Sequence, residues 1–155
     1  MKNSVCFIGH RETKESIELR EKVYAVIVDL VEKGYKKFIF GDHSSFTDIC
    51  HGIAADVKNV NKDITIIHYR CNYENAGEYT MQFLILGYDQ SIFPAGIRNS
   101  GRASYIERDR AMIDSSDMCI FYYDEKHQPS KSRVSGTAKA YEYALSKHKT
   151  IINLY

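Results

Sequence analysis

Five short, almost wholly apolar runs, separated by longer segments with helical periodicity, are the feature that most constrains the fold of this chain. Apolar residues follow one another in these runs instead of alternating with polar ones, so both faces of each predicted strand are expected to be buried. Strands of this kind, separated by helices, pair in parallel through right-handed crossovers. The sequence therefore predicts an α/β fold, a three-layer sandwich around a mostly parallel sheet of five or more strands. The predicted strands cover residues 5–8, 37–40, 64–69, 118–123 and 150–154.

Between the strand-like runs, four segments space their apolar residues as amphipathic helices do. The first of these segments is followed by Gly34, which is expected to take the left-handed conformation that commonly ends a helix. The stretch 91–104 contains a proline and two glycines and is predicted to be a loop, as is the polar stretch 124–135. The predicted helices cover residues 16–33, 46–57, 105–114 and 136–147, and a less regular one covers 78–88.

Size and charge exclude several classes of function. The chain has 155 residues and a formal net charge of +1, so its composition does not predict binding to bulk nucleic acid or to an anionic membrane. No apolar run reaches the roughly 18 residues of a membrane-spanning helix, and the N-terminal residues show no signal-peptide pattern. We therefore expect a single domain covering residues 1–155, without a membrane partner.

The four cysteines point to the same kind of protein. They lie far apart in the sequence and form no C-x-x-C pair, and Cys6 and Cys119 fall inside apolar strands. This distribution favours reduced, buried thiols over a disulfide or a metal site. We accordingly predict a cytoplasmic protein with neither a metal site nor a bound cofactor.

Small, basic and polar residues follow the predicted strands at the position where an open parallel sheet binds its ligands. A glycine lets a phosphate approach the backbone, and an arginine pairs with the phosphate. A helix N-terminus offers unpaired N–H groups and the positive end of a dipole. The predicted ligand-binding edge comprises Gly9, His10 and Arg11 after the first strand, Gly41 and Asp42 after the second, Asp124 after the fourth, and Ser135, Gly136 and Thr137 at the start of the last helix.

Each of these residues also has a simpler structural interpretation, which the sequence leaves open. Gly9 fits an ordinary turn, Arg11 a solvated helix start, and His10 a hydrogen bond to a neighbouring loop. Ser135 and Thr137 suit the cap and first turn of a helix. The chain lacks the G-x-G-x-x-G, Walker, G-x-S-x-G and H-E-x-x-H motifs, so the sequence does not support an ordinary dinucleotide-binding, P-loop, hydrolase or zinc-protease interpretation.

Three stretches, taken together, resemble the motifs of the SLOG superfamily, and specifically its small YpsA-like branch. They are CFIGHR, RDRAMIDSSDMCIFYYD and SGTAKAYEYA, in the same order and spacing as in the family and covering nearly the whole chain. The superfamily includes the LOG phosphoribohydrolases and the DprA core, and it has a Rossmann-like sheet whose loops bind nucleotides or nucleotide-derived ligands. The resemblance implies a first ligand loop at Gly9, His10 and Arg11, a helix arginine at Arg108, and a phosphate turn at Ser135, Gly136 and Thr137.

The sequence departs from the family pattern in its loops. Relatives usually have Gly-Gly-x-x-Gly-Phe-Asp in the second loop, whereas residues 41–48 read Gly-Asp-His-Ser-Ser-Phe-Thr-Asp, and the last loop is Ser-Gly-Thr where relatives have Gly-Gly-Thr. In LOG hydrolases a glutamate three residues after the Gly-Thr pair assists glycosidic cleavage. Here that place is Ala140, and Glu142 lies on a different face of the helix. The departures favour binding over cleavage.

We therefore expect a cytoplasmic sensor or regulator whose partner is a nucleotide or a nucleotide-derived ribose phosphate. In this hypothesis Arg11 and Arg108 neutralise phosphate, while His10 and Asp42 orient sugar hydroxyls. One alternative is an interaction protein with a vestigial pocket. The other is an enzyme acting on an N-glycosidic bond, a nucleotide hydrolase or deoxyribosyltransferase, with its carboxylate drawn from Asp42, Asp48, Asp124 and Glu142. Homodimerisation is a further expectation, because related proteins often dimerise.

Overall fold

The computed structural model describes residues 3–41, 44–71, 87–126 and 135–155. Within these ranges the chain forms one sheet of six strands in the order β4-β3-β2-β1-β5-β6, and every neighbouring pair is parallel. The strands are β1 (Ser4–Gly9), β2 (Lys37–Phe40), β3 (Thr65–Tyr69), β4 (Gln90–Ile92), β5 (Met118–Tyr122) and β6 (Thr150–Asn153). The helices in these ranges are α1 (Ile17–Glu32), α2 (Ser45–Val60), α3 (Arg102–Asp114) and α4 (Gly136–Ser146). This confirms the predicted α/β sandwich with a parallel sheet.

The strand order reverses between β1 and β5. From β1 the chain moves outward through β2 and β3 to β4, and it then returns to the other side of β1 to form β5 and β6. At this reversal Gly9, the last residue of β1, lies opposite Tyr122, the last residue of β5. A crevice opens beyond the strand ends at such a point, because the two connecting chains leave in opposite directions.

One helical layer, α1 with α2, covers a sheet face that is filled mainly by aromatic rings. Phe7 stacks on Phe40 with ring centroids 4.9 Å apart, and Phe38 lies 6.0 Å from Phe7. Leu19 and Val23 of α1 are buried against the same cluster, as are the buried side chains of α2. Burying rings of this size contributes a large share of the hydrophobic stabilisation of a small domain.

The other layer, α3 with α4, packs on the opposite sheet face through smaller side chains. Cys6 and Cys119 are direct neighbours across β1 and β5, and both are fully buried. Ala140 and Ala144 of α4 are buried in the same cluster, and Met112 joins it from α3. Isoleucines from the strands and one phenylalanine, Phe121, fill the rest of this cluster, which has fewer buried residues than the aromatic one.

The ends of α1 match the sequence prediction. Ser16 is its N-cap and its hydroxyl accepts a hydrogen bond of 3.1 Å from the Leu19 N–H. Gly34 follows the helix with φ of +94°, the left-handed conformation expected of it. The boundaries of β2 also coincide with the predicted ones, and those of β3, β5 and β6 differ by one residue at a single end.

One strand was not predicted, because its residues carry no apolar pattern. β4 contains only Gln90, Ser91 and Ile92, and it forms the exposed edge of the sheet, overlapping the start of the predicted loop 91–104. The prediction of a loop there is wrong for its first two residues. Helix α3 also begins three residues before the predicted start. The helix predicted over 78–88 falls almost entirely outside the described residues.

Candidate functional site

Most of the predicted site residues lie at one edge of the sheet. Because all six strands are parallel, their carboxyl ends share an edge, and the crossover helices α2 and α4 begin there. The residues placed at this edge are Gly9, His10 and Arg11 beyond β1, Gly41 beyond β2, Asp124 beyond β5, and Ser135, Gly136 and Thr137 at the start of α4. Asp42 lies outside the described residues.

His10 joins the first loop to the loop after β5. Its ring is buried, and its Nε2 accepts a hydrogen bond of 2.8 Å from the Asp124 backbone N–H. A neutral imidazole that accepts at Nε2 carries its proton on Nδ1. The ring also lies against Tyr123, with centroids 6.0 Å apart. His10 therefore has the structural contact that the sequence left open, and this contact holds the backbone of Asp124 at the crevice.

Arg11 and its neighbours connect the first loop to the start of α2. The Arg11 side chain is exposed, and its carbonyl accepts a hydrogen bond of 2.9 Å from the Ser45 N–H. Thr13 donates its hydroxyl hydrogen to the His10 carbonyl at 3.0 Å. These bonds order the loop while leaving the Arg11 side chain in solvent at the edge, where it is available to an anion.

Gly9 is required by packing. A Cβ added at Gly9 would lie within 2.7 Å of three carbons of the Phe46 side chain, a separation that real Cβ atoms do not show. The ring of Phe46 is fully buried at the start of α2 and packs against Tyr122 with centroids 5.7 Å apart. The absence of a side chain at Gly9 thus lets α2 begin close to the end of β1.

The start of α4 is a preorganised turn. The buried Ser135 hydroxyl accepts hydrogen bonds from the N–H groups of Thr137 at 3.1 Å and Ala138 at 3.4 Å. Gly136 is exposed, and apart from its chain neighbours and its own helix backbone no described atom lies within 4 Å of the place where its Cβ would be. As far as the described residues go, the positive end of the helix dipole is therefore uncovered above Gly136. A bound anion would compete with Ser135 for the Thr137 N–H.

Arg108 extends from α3 to the end of β2. Its side chain is only 10% exposed and pairs with Asp109 at 3.1 Å, and its Nη1 lies 3.8 Å from the Cys71 sulfur. A Cβ added at Gly41 would lie 3.0 Å from the Arg108 Cζ and Nε. The guanidinium therefore lies close to the Gly41 backbone, and a larger residue at that position would have to displace it slightly. Tyr105 contributes a cation–π contact from one turn earlier, as the helical spacing predicts.

Arg70 was not among the site residues predicted from the sequence. It directly follows β3, so it lies at the same edge as Gly41, and it is 8% exposed. Its Nη1 contacts the carbonyl of Ser91 at 3.4 Å and the hydroxyl of Ser91 at 3.3 Å. The available signal was its position: an arginine at a strand end is the same feature that singled out Arg11.

The carboxylate candidates for glycosidic cleavage are not assembled on α4. Ala140, which stands where the relatives have a catalytic glutamate, is buried in the core beside the sheet. Glu142 is exposed on the helix surface. Asp124 is half-buried at the crevice, and its carboxylate accepts a hydrogen bond from the hydroxyl of Tyr155, which raises the pKa of that tyrosine. Asp48 is exposed on the first turn of α2.

The described residues contain neither a cluster of metal-binding side chains nor a membrane-spanning helix. Among them, no group of three or more histidine, cysteine, aspartate or glutamate side chains is arranged to hold a metal ion. In the same part of the chain, no helix is both long and apolar enough to cross a membrane. All four cysteines are buried and unbridged, and burial raises the pKa of the Cys50 thiol well above its ordinary value.

No protein-family model matches the chain, and no curated protein matches it in sequence. Solved structures do match. DNA processing protein A from Helicobacter pylori, which was studied for its single-stranded DNA binding mode, superposes with a TM-score of 0.61 at 16% identity. That match covers 96% of this chain and 63% of the other, so the chain spans less than two thirds of that protein.

Two proteins concerned with the molybdenum cofactor are also similar in structure. The molybdenum cofactor carrier protein from Chlamydomonas reinhardtii gives a TM-score of 0.59 at 14% identity, over 97% of this chain and 75% of that one. The molybdenum cofactor binding protein from the phototrophic bacterium Rippkaea orientalis gives 0.57 at 16% identity, over 99% and 76%. At these identities the likeness establishes the fold. The chain shares with them a Rossmann-like α/β fold.

Proposed function

We propose that this protein binds a nucleotide or a nucleotide-derived ribose phosphate and acts as a cytoplasmic sensor or regulator. In this proposal residues 1–155 form a single nucleotide-binding domain of the SLOG superfamily, in its YpsA-like branch, and the protein functions as a homodimer. The proposal is supported by the topology: Arg11 and Asp124 follow β1 and β5, which flank the crevice where the strand order reverses, and Gly136 begins α4 at the same edge. That crevice is the usual ligand position in open parallel sheets.

The crevice offers complementary groups for the two halves of a ribose phosphate. The start of α4 and the exposed guanidinium of Arg11 supply positive charge and N–H donors for phosphate. Asp124, whose backbone is held by His10, supplies a carboxylate that accepts hydrogen bonds from sugar hydroxyls. The structural neighbours support a ligand-binding use of the fold, since they are described as proteins that bind single-stranded DNA or the molybdenum cofactor.

Binding is favoured over glycosidic cleavage by the position of Ala140. Its side chain faces the core, so an apolar methyl group packs against the sheet where the LOG hydrolases have a catalytic carboxylate. Glu142 lies two positions after Ala140, about 200° around the helix axis, and about 10 Å along the axis from Ser135. Its carboxylate is therefore remote from the turn at Ser135, and we expect the protein to hold its ligand without releasing the base.

Thermal-shift measurement with nucleoside monophosphates tests the proposal. A ligand at a hundred times its dissociation constant stabilises the folded state by roughly 2.7 kcal/mol, which is easily measured in a melt. We expect stabilisation by some 5′-monophosphates and none by the corresponding free bases. Native mass spectrometry of freshly purified protein should show a co-purified nucleotide. If no phosphorylated ligand stabilises the protein and a protein partner does, the interaction hypothesis replaces this one.

Arg11→Gln and Arg20→Gln form a matched pair for this experiment. Both arginines are exposed, but Arg11 lies at the crevice and Arg20 lies on α1, where it pairs with Glu15. We expect Arg11→Gln to weaken monophosphate binding about tenfold or more and Arg20→Gln to leave it unchanged. Equal effects of the two substitutions would contradict the proposed site.

Chromatography of the reaction mixture distinguishes binding from catalysis. We expect nucleoside monophosphates to remain intact in the presence of the protein. Fast release of free base that is lost in Asp48→Asn, Asp124→Asn or Glu142→Gln would establish a glycosidic enzyme in place of a binding protein. Asp42→Asn belongs in the same panel, because Asp42 is among the carboxylates singled out by the sequence.

A further inference from the structure

Strand β6 forms one edge of the sheet, and its own residues do nothing to protect that edge. It pairs with β5 on one side, and among the described residues no strand pairs with its other side. Edge strands of soluble proteins usually carry a charged residue, a proline or a bulge that keeps a further strand from pairing with them. β6 reads Thr-Ile-Ile-Asn, and its register with β5 runs without a break. The edge is therefore suited to accept another strand.

The outward backbone groups of β6 belong to Ile151 and Asn153. Successive residues of a strand direct their N–H and C=O groups to opposite sides. The N–H of Leu154 donates to the Phe121 carbonyl of β5 at 2.8 Å, so the even-numbered residues of β6 face β5. Ile151 and Asn153 consequently direct their backbone groups away from the sheet, where no described strand lies to pair with them.

The side chains at this edge are apolar and half-exposed. Ile151 packs at the rim of the α3/α4 cluster and Ile152 at the rim of the α1/α2 cluster, so one isoleucine projects on each face of the sheet. Leu145, in the last turn of α4 before the chain enters β6, is 54% exposed. Covering these side chains adds hydrophobic stabilisation to the backbone hydrogen bonds that a further strand makes.

A second copy of β6 is complementary to this edge in the antiparallel orientation. A two-fold axis between the two copies of Ile152 places the backbone of each Ile151 opposite Asn153 of the second copy. The two residues then exchange both of their outward hydrogen bonds, as a hydrogen-bonded antiparallel pair does. The half-exposed Ile152 side chains meet across the axis as a cross-strand pair. The same strand therefore supplies every donor and acceptor that its own edge needs.

The charges at the two ends of β6 favour the same arrangement. Residues 147–149, directly before the strand, are Lys-His-Lys. At the other end Tyr155 bonds to the carboxylate of Asp124, and the exposed Glu125 follows Asp124 in the chain. An antiparallel pair sets the basic end of one copy beside the acidic end of the other, whereas a parallel pair brings like charges together. The formal net charge of +1 adds little overall repulsion between copies.

We propose that β6 is a homodimer interface, in which two copies join edge to edge through an antiparallel β6–β6 pair into one continuous sheet. The two-fold axis is perpendicular to the sheet, so the α4 helices of both copies lie on the same side of it. The crevice between β1 and β5 lies one strand inward from the interface, and each copy keeps its own crevice. The inference rests on the homodimer of the proposed function, which it locates, and it is independent of the ligand.

Cysteine cross-linking tests the register. In a non-hydrogen-bonded antiparallel pair the two Cα atoms lie about 4.5 Å apart, within the range of a disulfide. The two copies of residue 150, on the same face of β6 as residue 152, lie about 14 Å apart, which is too far for one. We expect Ile152→Cys to form a disulfide-linked dimer under mild oxidation and Thr150→Cys to stay unlinked on a non-reducing gel.

The unsubstituted protein is the background control for this experiment. Its four native cysteines are buried, so it should give no cross-link. Cross-linking of Thr150→Cys at the same rate as Ile152→Cys would show random collision and overturn the proposed register. The absence of a cross-link in Ile152→Cys would overturn it as well.

Sedimentation velocity over a range of protein concentrations measures the association itself. We expect a species of twice the chain mass of 17.9 kDa. Ile152→Lys sets two like charges against each other at the two-fold axis and should raise the dimer dissociation constant about tenfold or more. Val60→Lys is the matched control, because Val60 is 89% exposed at the end of α2 and should leave the dimer unchanged. A dimer that Ile152→Lys does not weaken, or that both substitutions weaken equally, would contradict the interface.

Failure of this inference is distinguishable from failure of the proposed ligand binding. A protein that sediments as a monomer at every concentration overturns the β6 interface, while the thermal shift with monophosphates is measured separately on the same sample. Circular dichroism checks that Ile152→Lys is folded. If it is not, the comparison of Ile152→Cys with Thr150→Cys decides the question.

Discussion

The two helical layers of this protein differ in what they bury and in what they bring to the carboxyl edge. The α1/α2 layer buries a cluster of phenylalanine rings and reaches the edge through Phe46 and the capped start of α2. The α3/α4 layer buries isoleucine, cysteine, alanine and methionine side chains with a single phenylalanine, and it brings Arg108 and the Ser135 turn to the same edge. The first layer is built mainly for packing. The second has a thinner core, with fewer buried apolar side chains among the described residues, and it carries the groups that suit an anionic ligand.

This difference shows how a small sheet accommodates a polar site without losing its stability. Burying Arg108 and the Ser135 hydroxyl carries a desolvation cost, which the hydrogen bonds and the Asp109 ion pair offset. The aromatic face has no such cost and supplies a correspondingly larger hydrophobic contribution. We therefore expect substitutions in the α1/α2 layer to affect mainly stability, and polar substitutions at the edge of the α3/α4 layer to affect mainly binding.

Phe40→Ala should have the largest effect on stability. The ring is fully buried and stacked on Phe7 at 4.9 Å, so its removal leaves a large cavity in the aromatic face. We expect a loss of about 3–5 kcal/mol in the free energy of unfolding, measured by urea denaturation. A loss below 1 kcal/mol would show that the aromatic face is not the main source of stability.

Gly9→Ala should follow, because the added methyl group overlaps the Phe46 side chain. We expect a loss of about 3 kcal/mol, the upper end of the usual range for overpacking. A double-mutant cycle with Phe46→Ala identifies the cause. The cost of Gly9→Ala should nearly disappear in the Phe46→Ala background, whereas an undiminished cost would place the clash elsewhere.

Asp117→Asn should cost about 2 kcal/mol without altering the ligand edge, because Asp117 lies at the opposite edge of the sheet. Its Oδ2 accepts the backbone N–H groups of Asn3 at 2.9 Å and Ser4 at 3.1 Å, which ties the start of β1 to the start of β5. Burial raises the pKa of this carboxyl, but these N–H groups and the charge of Lys149 outweigh burial and lower it overall.

The pH dependence of stability tests the same contact. Because the pKa of Asp117 is lower in the folded state than in the unfolded chain, its contribution is fully present above the ordinary aspartate pKa. The contribution is lost as the pH falls through the depressed folded-state pKa. The stability difference between the unsubstituted protein and Asp117→Asn should therefore shrink in acid. A difference that stays constant from pH 7 to pH 3 would contradict this account.

Cys119→Ala should have the smallest effect of the four, about 1 kcal/mol, because it removes a single sulfur atom from the thinner core. The substitution also removes the hydrogen bond between Cys119 and Cys6. Burial is the main cause of the raised pKa of Cys6, so its thiol should stay unreactive toward iodoacetamide in the folded variant. Intact-mass measurement checks this, and rapid labelling at pH 8 would indicate that the α3/α4 layer opens without Cys119.

The fold was predictable wherever the sequence pattern was strong. The apolar runs of β1, β2, β3, β5 and β6 gave their positions to within a residue or two, because strands buried on both faces require continuous apolar side chains. β4 escaped prediction for the opposite reason. It is a three-residue edge strand held by pairing with β3, and half-exposed residues at an edge need no apolar pattern.

The sequence predicted which residues lie at the carboxyl edge of the sheet, but only part of their contacts. Strand ends and the first turn of a helix can be read from local sequence, which is why Arg11, Gly136 and Asp124 were singled out. The Arg108 contact with Gly41 and the approach of Phe46 to Gly9 join residues that are distant in the chain. Arg70 is a third example, since its burial depends on how β4 pairs with β3. No local pattern encodes such contacts.

The sequence by itself determined the class of fold, the residues that follow the strands at the carboxyl edge, the left-handed Gly34 after α1, and the helix cap at Ser135. These features depend on side-chain periodicity and on hydrogen bonds between residues close in the chain, so they are encoded locally. Only the tertiary structure decided that His10 holds Asp124, that Gly9 makes room for Phe46, and that Arg70 and Arg108 are buried at neighbouring strand ends. The reason is that the order of strands in the sheet brings these groups together, and strand order follows from packing the whole chain rather than from any one segment of it.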